Sequence, residues 1–203
     1  MAFPVRRGVL WGLLIATLAV VIAAALLRLR RPEPPPVLGQ VPELTLVNRD
    51  GRTVRRAGLA GAPWIADFIF TRCPASCPLM TARMARLGRE LPRDWKVRLV
   101  SFSVDPEHDT PAVLERYAES FKAPARWLFL TGDGRQIYRL SREGFKLGVD
   151  ASPQPVGAET AEPILHSTRF VLVDGEGRIR GYYDAFDAES MKGLMRDLES
   201  ISQ

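Results

Sequence analysis

The chain has two cysteines in 203 residues, four apart in Thr71-Arg72-Cys73-Pro74-Ala75-Ser76-Cys77-Pro78. No cysteine remains for a bridge elsewhere, so the fold must rest on its core and the pair acts locally. Trp64 to Phe70 is a nearly continuous apolar run on one side, which reads as a buried strand. On the other side Leu79, Met80, Met84, Leu87 and Leu91 recur at helical spacing. Pro78 suits a first helical turn, where its missing N–H costs nothing. A local dithiol at a strand-to-helix junction serves thiol redox chemistry or binding of a soft metal. A plain structural disulfide is the rival, but so short a loop gains little from being closed.

The rest of the chain is divided by its charge. Residues 1–31 contain Arg6, Arg7, Arg28, Arg30 and Arg31 and no acidic residue. Outside them, 23 basic residues face 23 acidic ones, so the net charge of +5 belongs to the amino-terminal segment. That removes the case for a nucleic-acid partner. Gly8 to Leu27 is uncharged over 20 residues, enough to span a bilayer as a helix. Arginines flank both ends, so the positive-inside rule does not fix its orientation. A cleaved signal peptide with Ala23-Ala24-Ala25 at its site is the rival; the length of the run favours an uncleaved anchor. Arg31-Pro32-Glu33-Pro34-Pro35-Pro36 then forms a stiff, extended spacer. The expected layout is a cytoplasmic amino terminus at 1–7, a transmembrane anchor at 8–27, a Pro-rich linker at 28–39 and a domain at 40–203. Arg outnumbers Lys 24 to 4, a coding bias expected of a GC-rich bacterial genome.

Within the domain, Leu44–Val47 and Thr53-Val54 flank the turn Asn48-Arg49-Asp50-Gly51. Val97 to Val104 and Trp127 to Leu130 read as further strands. Asp109-Thr110-Pro111 starts a helix running to about Phe121, and Asp133 caps another over Gly134–Leu140. Residues 141–165 are rich in Gly and Pro and read as an irregular insertion with one hairpin. Thr168–Val173 and Ile179–Tyr183 pair around Asp174–Gly177, and a last helix covers Ala188 to Ile201. This order predicts an α/β thioredoxin-like fold, a central sheet flanked by helices, preceded by one transmembrane helix. That fold puts its active site at the first strand–helix junction, where the dithiol lies. Cys77 is expected at or just before the helix start, where free N–H groups and the dipole favour a thiolate.

Two thiolates do not complete a metal site, and the chain has only two histidines. His108 lies in the polar turn Asp105-Pro106-Glu107-His108-Asp109 and reads as a surface residue. His166 precedes a strand whose leading loop faces the dithiol junction in such a fold. Residue order alone leaves it open as a third ligand or a surface histidine. Asp105 is open in the same way, between orienting the site and shaping its turn.

Three blocks in order carry a resemblance: Asp67 through Pro78, Ser101 through Pro111, and His166-Ser167 through Val173-Asp174. Together they resemble the SCO/SenC family of copper-binding assembly proteins. The resemblance implies that Cys73, Cys77 and His166 bind copper, as Cu(I), Cu(II) or both. It also implies a domain outside the bacterial cytoplasmic (inner) membrane, held by a single-pass anchor. The implied partners are the copper-bearing subunit of cytochrome c oxidase, whose copper A centre it helps assemble, and an upstream copper donor protein. His108 stands where that family commonly has arginine. Soft thiolates with one imidazole suit copper, whereas zinc usually takes a fourth ligand. A metallochaperone rather than an enzyme is expected. The alternative is a thiol–disulfide reductase using Cys73 and Cys77 to keep the oxidase cysteines reduced. A peroxiredoxin-like peroxidase fits least, because Thr71 and Cys73 are too close for its Thr-x2-Cys spacing.

Overall fold

The computed structural model describes residues 5–29, 33–74, 76–147 and 167–202. It divides into two compact units between Pro34 and Pro35. The first holds one helix, α1 (Val5–Leu29). Its side chains are described for residues 8–22, all of them exposed. Among the described residues no helix is long and apolar enough to cross a membrane.

The second unit is built on one eight-stranded sheet. Its elements are β1 (Gly39–Gln40), β2 (Thr45–Asn48), β3 (Thr53–Arg55), α2 (Arg56–Leu59), β4 (Trp64–Ile69), α3 (Ser76–Glu90), β5 (Arg98–Ser103) and α4 (Pro111–Ser120). They are followed by β6 (Trp127–Thr131), α5 (Gly134–Arg139), a π-helical turn (Leu140–Gly144), β7 (Arg169–Val173), β8 (Arg178–Asp184) and α6 (Ala188–Ile201). The strand order is β1-β8-β7-β4-β5-β6-β2-β3. β4, β5 and β6 are parallel neighbours, and β7 runs antiparallel to β4. The fold is the expected α/β thioredoxin-like one.

Every residue of β4 is buried because both sheet faces are covered. Ile65 and Ile69 join one core with Met80, Met84, Leu114, Phe129, Leu194 and both cysteines. Trp64, Ala66 and Phe68 point to the other core with Phe102, Leu140 and Phe145. In that second core Phe68 stacks on Phe102 at 5.0 Å between ring centres, and Phe145 meets Phe68 edge-on at 5.2 Å. Each such ring contributes roughly 1.5–3 kcal/mol by burial.

Helical structure continues past the predicted end at Leu140 through Gly144. Burial drives the extension: Leu140, Ser141, Phe145 and Leu147 all face inward. Gly144 is needed there, since a Cβ would stand 2.7 Å from Cδ of Pro42. The hairpin expected within 141–165 falls largely outside the described residues.

Candidate metal and redox site

α3 begins at Ser76, two residues earlier than Pro78 would set it. Cys77 therefore lies inside the first turn rather than before it. Its N–H donates to Sγ of Cys73 at 3.4 Å. The sulfur that meets the helix N-terminus is thus that of Cys73, not that of Cys77. The Ser76 hydroxyl also lies 3.7 Å from the same sulfur. Both cysteines are thiols and nearly buried, 6% and 4% exposed.

The expected thiolate at Cys77 is not supported. Burial pushes its thiol up to about 12, outweighing a hydrogen bond from the Phe70 backbone that acts the other way. An apolar core on one side is a stronger influence here than the dipole of the helix start. Behind Cys77, the Thr81 hydroxyl donates to the Cys77 carbonyl at 2.8 Å and pairs with the Tyr117 hydroxyl at 2.8 Å.

The turn that delivers Cys73 closes with its N–H on the Phe70 carbonyl at 3.2 Å. It is held against the loop after β5. The Asp109 carboxylate, fully buried, accepts from Thr71 N–H at 3.0 Å, from Thr71 Oγ1 at 2.5 Å and from Ser103 Oγ at 2.6 Å. Outside it, Arg72 donates through Nε (3.0 Å) and Nη2 (2.6 Å) to one oxygen of Asp105. The Asp105 carbonyl in turn accepts from His108 and Asp109 N–H. Asp105 therefore shapes its own turn and binds the arginine beside Cys73.

The structure also places Asp67 on the Ile65/Ile69 side of β4, the face covered by α3. The residue is fully buried, and neither carboxyl oxygen has a hydrogen-bond partner among the described residues. Burial pushes its carboxyl up to about 7. Ser101, opposite it on β5, offsets part of that rise, and its hydroxyl accepts from Trp127 Nε1 at 2.9 Å.

Of the sequence-predicted ligands, Cys73 and Cys77 are brought together. His166 lies outside the described residues. His108 is exposed, as expected for a surface histidine. Among the described residues no group of three or more His, Cys, Asp or Glu could hold a metal ion. Residue patterns missed the roles of Asp109 and Asp67. Asp109 read as part of a helix start, yet the α4 cap is Thr110, which accepts from Val113 N–H. Asp67 offered one signal: a lone acid inside an otherwise apolar strand.

A thioredoxin-like domain with a buried dithiol at the first strand–helix junction defines a thiol-based redox or metal-binding protein. The SCO1/SenC family model matches residues 38–203. The chain belongs to that family. It is 34% identical over 170 residues to the SCO1 protein homolog of Bacillus subtilis, covering 82% of this chain and 85% of the relative. Among solved structures it resembles BsSco, a member of the Sco family of cytochrome c oxidase assembly proteins in which a disulfide switch was identified. The match has a TM-score of 0.70 and 32% identity, over 86% of this chain and 99% of that one. It also resembles copper-bound ScoI of Bradyrhizobium japonicum, with a TM-score of 0.63 and 27% identity, over 78% of this chain and 99% of that one.

Proposed function

We propose that this chain is a membrane-anchored copper metallochaperone that assists assembly of the copper A centre of cytochrome c oxidase. Copper is its cargo, held by Cys73, Cys77 and His166. The observation that carries this reading is the pair of buried thiols joined at the start of α3, in a member of the SCO1/SenC family. The donor chemistry fits: two sulfurs in a site shielded from water suit a soft ion. Cys77 is a protonated thiol near neutral pH, so taking up the metal releases a proton.

What supports His166 is the register of β7. Val171, Leu172 and Val173 pair with Ala66, Ile65 and Trp64. The chain entering β7 thus approaches the carboxyl end of β4, the end from which the Cys73 turn departs. Copper and oxidase assembly come from the two related structures, one copper-bound and one from an oxidase-assembly family. The anchor rests on the uncharged Gly8–Leu27 run. The proposed layout is a cytoplasmic segment at 1–7, a span at 8–27, a linker at 28–39 and an extracytoplasmic copper domain at 40–203. The proposed location is the bacterial inner membrane. The partners are the copper-bearing oxidase subunit and an upstream copper donor.

A second reading is favoured by the contact between Cys77 N–H and Cys73 Sγ, which suits disulfide exchange. The dithiol would reduce the disulfide of the oxidase subunit and become a Cys73–Cys77 disulfide itself, one bond formed for one broken. The discriminating experiment mixes the chain with the soluble domain of that subunit. For a chaperone, copper passes from the loaded chain to the dithiol form of the subunit. For a reductase, the copper-free chain reduces the disulfide form one for one. Neither event occurring would exclude both roles.

A further inference from the structure

We infer that Asp109 is a positioning residue for the dithiol: its buried carboxylate fixes, through Thr71, the turn that presents Cys73. The inference deepens the proposed function and rests on it only where copper is the readout. Three donors converge on the two oxygens of Asp109, two from Thr71 and one from Ser103. A carboxylate sealed from water is stable only when its oxygens are satisfied in this way. The donors come from separate places, the turn after β4 and the end of β5. The carboxylate therefore ties one loop to the other.

Each side of the tie is itself fixed. Ser103 Oγ accepts from Asp105 N–H at 3.1 Å, and Asp109 N–H donates to the Asp105 carbonyl at 2.8 Å. Val104 N–H donates to the Ile69 carbonyl at 2.9 Å, joining the two strand ends. Thr71 is bound at both its N–H and its hydroxyl, so its backbone and χ1 are both set. Phe70 and Cys73, on either side of it, are the two ends of the closed turn. The Arg72–Asp105 pair lies on the outside, with the arginine side chain 60% exposed, and adds little restraint. Fixing the turn keeps the Cys73 sulfur at the N–H of Cys77. That raises the effective concentration of one sulfur at the other, for closing a disulfide or sharing an ion.

A charged carboxylate suits the position best. Asparagine keeps the shape, but its one oxygen must take Thr71 N–H and Ser103 Oγ while its NH2 donates to the Thr71 hydroxyl, and these neutral bonds are about half as strong. The test is Asp109→Asn in the full chain in detergent, equilibrated with reduced and oxidised glutathione. The expected result is a fall of about tenfold in the equilibrium constant for the Cys73–Cys77 disulfide, a potential about 30 mV less negative. The Cu(I) affinity should fall by a similar factor. Asp133→Ala, which removes the N-cap of α5, separates general loss of stability from the local effect. It should lower the unfolding midpoint and leave the glutathione equilibrium unchanged.

A disulfide equilibrium within twofold of wild type in folded Asp109→Asn would overturn the inference, whatever its unfolding midpoint. If Asp109→Asn does not fold, Thr71→Val and Thr71→Ser replace it. The valine variant should shift the equilibrium in the same direction by less, and serine should restore it; equal values in the two would also overturn the inference. The glutathione measurement needs no copper. A wild type that binds no copper but has an Asp109-sensitive disulfide would defeat the chaperone reading alone. Wild type and variant binding copper equally, with equal disulfide equilibria, would defeat the positioning role alone.

Discussion

Asp67 has the sharpest individual consequence of any residue in the domain. Its carboxyl is raised to about 7 in the folded chain, above the ordinary carboxylate value near 3.8, chiefly by burial. The folded protein keeps this proton after the unfolded chain has released it. The stabilisation is therefore complete below about pH 4 and is lost as pH rises through about 7, on the order of 4 kcal/mol in all. Cys77 and Tyr117, whose charges Asp67 would feel, are both pushed up by burial and stay neutral across that window. Asp67→Asn removes the titration. Measured by urea unfolding from about pH 4 to 8, the variant should gain on wild type as pH rises, then level off. A stability gap that stays flat with pH would show that Asp67 titrates normally. At this scale the sequence was legible where chemistry is carried by rare residues. Two cysteines in the whole chain could hardly be overlooked. It was not legible where common residues act through long-range contacts. Asp109 and Thr71 are 38 positions apart and meet only once β4 and β5 are side by side.

Elements were largely legible because apolar periodicity records which face is buried, and the strands and helices of the second unit are buried in just that way. The start of α3 was displaced because Pro78 is tolerated throughout the first turn, so it marks a helix start only to within a residue or two. The short α2 and the two-residue β1 carry too few residues to show a period. The β2–β3 hairpin was read from Asn48-Arg49-Asp50-Gly51, and Gly51 does adopt the left-handed backbone (φ 81°) that such a turn needs. Its docking was not visible. Asn48 is buried, and its Oδ1 accepts from Phe129 N–H at 3.0 Å, pinning the hairpin to the edge of β6. Asn48→Ala leaves that buried N–H unpaired and should cost about 1–3 kcal/mol in chemical unfolding. The disulfide equilibrium of Cys73 and Cys77 should not move. A variant as stable as wild type would mean that the hairpin is held by its apolar contacts alone.

For the whole molecule, the charge distribution separated the amino-terminal segment from a neutral domain before any fold was known. The division of the structure between Pro34 and Pro35 falls within the proline run of the sequence. If Gly8–Leu27 anchors the chain, the full protein stays with bacterial inner membranes after an alkaline wash, while a chain starting at Pro35 is recovered in the soluble fraction. Recovery of the full chain in the wash would contradict the anchor. The function of the whole depends on whether His166 joins the two cysteines, since no other described residue completes their ligand set. The most direct measurement is copper stoichiometry with X-ray absorption of the copper-loaded full chain, in wild type and His166→Ala. The predicted result is one copper per chain with two sulfur neighbours and one nitrogen neighbour, and loss of the nitrogen with at least tenfold weaker binding in the variant. An unchanged copper environment and affinity in His166→Ala, or no stable copper in wild type, would contradict the proposed site.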